Sequence, residues 1–100
     1  MMLYEIHIQN FPDTESALAT QAPIAHTLCP DPDHNTPCEI PWSFTLGDDN
    51  NLILGIYTTP AKATALTETI ATLTHHPTAL HQATPGHFNE LETQYRIEHP

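Results

Sequence analysis

The feature that most constrains this chain is strict two-residue alternation in two separate stretches. In Tyr4-Glu5-Ile6-His7-Ile8-Gln9, the apolar Tyr4, Ile6 and Ile8 point one way and the polar Glu5, His7 and Gln9 the other. Successive strand side chains point to opposite faces, so this run predicts a strand buried on one side. Ile40-Pro41-Trp42-Ser43-Phe44-Thr45-Leu46 repeats the pattern, with Ile40, Trp42, Phe44 and Leu46 on one face. Pro41 cannot donate a ladder hydrogen bond, which assigns this run to a sheet edge or a strand start. Gly47-Asp48-Asp49-Asn50 is a turn, and the more apolar Asn51–Thr58 run after it predicts a central strand. These two strands make a hairpin.

Helices fill the intervals. Asp13 or Thr14 can cap a short helix over Glu15–Thr20, which Pro23 is expected to stop. Thr59-Pro60 is a helix start, with Thr at the cap and Pro in the first turn. Ala63, Leu66, Ile70 and Leu73 then recur at helical spacing, and His75-His76-Pro77 ends the run. Thr78–Ala83 is a short fourth strand. His87–Ile97 suits a terminal helix with Phe88, Leu91 and Tyr95 on one side, and a strand over 93–97 competes with it.

The expected fold is therefore α+β. It is a single domain over residues 1–100, with an antiparallel sheet carrying two helices on one face. The order is βαββαβ, the split βαβ or ferredoxin-like arrangement, plus a C-terminal helix. A Pro/Asp-rich loop is expected at about residues 25–38, where Pro30, Pro32 and Pro37 are interleaved with Asp31, Asp33 and Asn35. The topology alone names no function.

Charge narrows the partners. The chain of 100 residues has 12 Asp plus Glu against 2 Lys plus Arg, a formal net charge of −10. Eight of the acids and neither base fall in residues 1–50, so the halves carry −8 and −2. Nucleic acid and anionic membrane surfaces are poor partners for such a chain, because both reward a basic patch. A basic protein partner, drawn to the acidic half, suits it better. Nothing at the N-terminus reads as a signal sequence, and no run approaches a membrane span, so the expectation is a cytoplasmic location.

His26, Cys29, His34 and Cys38 form the one segment with metal-ligand spacing, H-x2-C-x4-H-x3-C. Zinc takes four such imidazole and thiolate ligands in a tetrahedron. The run is close in length to a zinc knuckle, but it starts on His and its last gap is one residue short. Free thiols at Cys29 and Cys38 are the plain alternative, and a reducing compartment opposes a disulfide. Asp31-x-Asp33-x-Asn35 starts like a calcium loop but has Thr36 and Trp42 where Gly and a bidentate Glu belong. There is no Gly-rich phosphate loop and no nucleophile motif.

Three readings follow. The leading one is a non-catalytic interaction or regulatory module working through its acidic half. The others are a zinc-binding protein using the 26–38 loop, and a small ferredoxin-like enzyme or ligand binder acting as a homodimer, with His7, Trp42 or Tyr57 lining a pocket.

Overall fold

A computed structural model describes residues 1–29, 40–84 and 86–98. The architecture is α+β, built on a four-stranded antiparallel sheet. In chain order the elements are β1 (Met2–Ile8), α1 (Thr14–Ala19), α2 (Gln21–Leu28), β2 (Trp42–Leu46), β3 (Leu52–Thr58), α3 (Pro60–Thr74), β4 (Thr78–Gln82) and α4 (Asn89–Glu98). The strand order is β2-β3-β1-β4, so β3 is internal and β2 lies at an edge. Pro41 still contributes to that edge, since its carbonyl accepts the Tyr57 N–H at 3.3 Å.

Register fixes the two faces. Ile6 stands opposite Leu54 and Leu80, Ile8 opposite Leu52, and Phe44 opposite Leu54. These side chains share one face and form the core with Ala17 of α1, Ile24 and Leu28 of α2, and Ala63 and Ile70 of α3. Ile6, Ile8, Leu52, Leu54 and Ile56 are wholly buried. Each side chain of this size removed from water stabilises the fold by about 1.5–3 kcal/mol. The second face carries Glu5, His7, Ser43, Thr45, Ile53, Gly55, Tyr57 and His81, by the same alternation.

Several expectations are corrected. The plain βαββαβ order is not matched, because two helices, α1 and α2, occupy the first connection; the expected C-terminal helix follows β4 as α4. Pro23 does not stop helical structure. It sits third in α2, within the first turn, where backbone N–H groups have no intrahelical partner and its missing donor is not needed. Thr20 ends α1 and caps α2 in one step. Of the loop expected at 25–38, Ala25–Leu28 are helical instead; Pro30, Asp31, Pro32, Asp33, His34, Asn35, Thr36, Pro37 and Cys38 lie outside the described residues. On α3, Ala63 and Ile70 are buried as the periodicity requires, but Leu73 is 41% exposed. Thr59 accepts the Lys62 N–H at the start of α3, and His75 in the left-handed region ends it.

The terminal segment is helical over 89–98, not a strand, and packs on the face opposite the other helices. The absence of a side chain at Gly55 permits this arrangement. A Cβ built on Gly55 would lie 2.4 Å from two atoms of the Phe88 ring. The ring rests directly on bare backbone, and only glycine permits that approach. Tyr95 extends the contact along β3, edge to face with Tyr57 at 5.4 Å, and Leu91 between them is 1% exposed. No helix among the described residues is long and apolar enough to cross a membrane.

This packing predicts a coupled pair. Gly55→Ala should destabilise the protein by about 1–3 kcal/mol through overpacking. In Phe88→Ala the same change should cost far less, giving a clear coupling term in a urea double-mutant cycle. Additive effects of the two substitutions would mean that Phe88 does not rest on Gly55.

Candidate functional site

Alternation on β1 puts Glu5 and His7 side by side on the second face, and antiparallel pairing sets His81 of β4 opposite Glu5. Glu5 is 5% exposed and is the one buried charged residue among the described residues. A buried carboxylate persists only with partners. Its Oε1 lies 2.9 Å from His7 Nε2. Its Oε2 accepts the Thr84 backbone N–H at 3.0 Å, and His87 Nδ1 stands 3.5 Å from the same oxygen. His81 completes the group through an edge contact with the His7 ring, centroids 4.9 Å apart.

The turn after β4 brings these partners in. The Ala83 N–H extends the ladder to the Leu3 carbonyl, and the His87 N–H closes back on the Thr84 carbonyl at 2.9 Å. Gly86 takes φ of 90°, which an L side chain would resist. Phe88 at φ 60° then drops its ring onto Gly55. Between this turn and the β2–β3 connection lies a half-open cleft of about 450 Å3. Glu5, His7 and Ile53 come from the sheet, Thr45 to Asp48 and Asn51 from the hairpin, and Thr84, His87 and Phe88 from the C-terminal turn.

Burial alone would raise the Glu5 pKa. The Thr84 N–H, the His7 hydrogen bond and charge, and the His87 contact outweigh it, and the net direction is below the usual carboxylate value of 4.5. Glu5 is thus held ionised. An ionised carboxylate only accepts, so the short bond puts a proton on His7 Nε2; in a neutral ring Nδ1 is then the acceptor. A histidine oriented this way can accept a hydrogen bond or a proton from a ligand.

The residues expected from sequence fare unevenly. His26 is exposed in the last turn of α2. Cys29 caps that helix, is buried and is disulfide-bonded, so it is not the free thiol of the plain alternative. His34 and Cys38, the only other cysteine of the chain, lie outside the described residues. Among the described residues no group of three His, Cys, Asp or Glu is placed to hold a metal. Of the expected pocket residues, His7 lines the cleft. Tyr57 shares its face, packs on Tyr95 and lines a separate hollow beside Met2 and Glu92, and Trp42 lies on the core face against Phe44. Glu5 and His87 were missed. The i, i+2 pairing of Glu5 with His7 was readable in the alternation, whereas His87 depends on how the terminal segment folds back.

The acidic half is also redistributed. Glu5 is buried and paired, and Asp13 caps α1 by accepting the Ser16 N–H at 2.7 Å, which lowers its pKa. Thr14 donates to Asn50 at 2.8 Å, which draws the start of α1 to the 3-10 turn at Asp48–Asn50. Exposed Asp13, Glu15, Asp48 and Asp49 therefore share one end of the molecule.

Comparison of the chain with known protein families, with characterised proteins and with solved structures finds no match.

Because the Glu5 pKa is lower folded than unfolded, its contribution is complete above about pH 4.5 and is lost as pH falls through the lower, folded value. At pH 7 Glu5→Gln should be less stable by about 1–3 kcal/mol. Chemical denaturation across pH 3–7 should show this gap closing below pH 4.5. A gap independent of pH would contradict the ionised, partnered carboxylate.

Proposed function

We propose that this protein is a non-catalytic regulatory domain whose working site is the cleft over Glu5, where a small polar ligand binds. One observation carries this reading: the buried, partnered carboxylate stands at the floor of a cleft open to solvent, not sealed in the core. A carboxylate whose only role was to pin Thr84 would need no such space beside it. Binding is favoured over turnover because the bonds from His7 and Thr84 hold Glu5 ionised, so it serves as a fixed acceptor and not as an acid. The architecture is read as a variant of the split βαβ, ferredoxin-like arrangement, on the ground that β3 inserts between β1 and β2.

A second reading, a basic protein partner for the acidic end, is favoured by the Thr14–Asn50 bond that gathers Asp13, Glu15, Asp48 and Asp49. A ligand held beside Asp48 would lie next to that end, so the two readings can describe one device.

One titration separates them. Backbone and side-chain NMR shifts, followed with a set of small polar compounds, should cluster on Glu5, His7, Asn51, Thr84 and His87. A lysine-rich peptide added alone should shift Asp13, Glu15 and Asp49, and the shifts should fade with salt. Compounds whose shifts all map away from the cleft would overturn the ligand reading and leave only the second.

A further inference from the structure

The cleft has a chemical preference that its outline alone does not give. Its acidic groups are Glu5 at the floor and Asp48 at the exposed rim, and no Lys or Arg is among the described residues that line it. Of the two basic residues in the chain, Lys62 lies on α3, which packs on the other face of the sheet. Arg96 is paired with Glu92 one turn back on α4. An anion entering the cleft would meet two carboxylates without a fixed counter-charge in the lining, and the chain's net charge of −10 adds to that field.

The floor also has capacity to spare. An ionised carboxylate offers about four lone-pair positions. Glu5 fills two with short bonds, from Thr84 and His7. Its third neighbour, His87, stands at 3.5 Å, beyond strong hydrogen-bond length, with a side chain 62% exposed. His87 is thus a loosely held, displaceable donor over the open side of Oε2. The Phe88 ring forms the adjoining wall, clamped in place on Gly55. A buried acceptor beside an aromatic ring is what an organic cation requires, since the ring face attracts cations as the carboxylate does.

We infer that the cleft takes an organic cation, a primary ammonium carrying an apolar tail, with its charged group on Glu5 Oε2 in the place of His87 and its tail along Phe88. The inference rests on the cleft being a ligand site. His87 then serves as the internal stand-in that the ligand displaces, and Asp48 strengthens attraction from the rim.

The test uses benzylammonium, with benzyl alcohol and benzoate as neutral and anionic counterparts, titrated into the full chain at low salt and followed by NMR. Benzylammonium should bind at the cleft about ten-fold or more tighter than benzyl alcohol, as a charge-assisted hydrogen bond implies. Benzoate should bind weakest. His87→Ala should keep or tighten benzylammonium binding, and Asp48→Asn should weaken it. Both positions are exposed, so neither variant needs the core to repack. Equal binding of the alcohol and the ammonium in the cleft would overturn the charge inference while leaving the ligand site standing. No shift at the cleft from any of the three would overturn both. Benzylammonium shifts confined to Asp13, Glu15 and Asp49 would reduce the effect to surface ion pairing and overturn the inference as well.

Discussion

The second face of the sheet is organised by one contact, the Phe88 ring lying on the bare backbone of Gly55. A sheet with one polar face would ordinarily present that face to water. Here a glycine in the central strand opens a flat seat. The ring takes it, and α4 follows, with Leu91 buried and Tyr95 against Tyr57. The Glu5 carboxylate sets the approach by holding the Thr84 N–H, so the turn leaves β4 at a fixed height above the sheet. Packing and electrostatics cooperate in this way: burial makes the charge costly, and the hydrogen bonds that offset the cost position the turn.

The opposite face supplies the stability that lets this one be specialised. Five wholly buried side chains from β1 and β3, packed under α1, α2 and α3, form the apolar core. The far end of β1 is tied down separately. Gln9 donates its N–H to the Pro77 carbonyl and accepts from His76 Nδ1, while the His76 ring stacks on buried Phe11 at 4.2 Å. These ties fix the register of β4 on β1, and that register places His81 opposite Glu5 and brings Thr84, His87 and Phe88 to the cleft.

The strands and the long helix were legible in the sequence because each depends on local periodicity. The alternation of Tyr4–Gln9 and Ile40–Leu46, and the Thr59-Pro60 helix start, reappear as β1, β2 and α3. Pro23 was misleading because a proline is punctuation only in a helix interior, and the sequence does not say that a new helix begins at Gln21. The His26–Cys38 spacing drew attention through its ligand chemistry, but spacing does not report whether a cysteine such as Cys29 is committed to a disulfide. The site itself was half legible. Glu5 and His7 were correctly put on one face, and His7 was offered as a pocket residue, but the segment that covers that face was not foreseen. What covers it is set by Gly55 and Phe88, thirty-three residues apart, and such a pairing has no local signature.

The central claim is that Glu5, by fixing Thr84, lets Phe88 seat on Gly55 and so holds the terminal segment onto the sheet. Amide hydrogen exchange at neutral pH tests it most directly, with Leu91 and the rest of α4 compared against the β1 and β3 ladder in the wild type and in Glu5→Gln. The account predicts that the substitution speeds exchange along α4 well beyond its effect on Ile6 and Leu54, because the segment opens as a local unit. Equal acceleration in α4 and the ladder, or none in α4, would contradict it and leave Glu5 as an incidental buried charge.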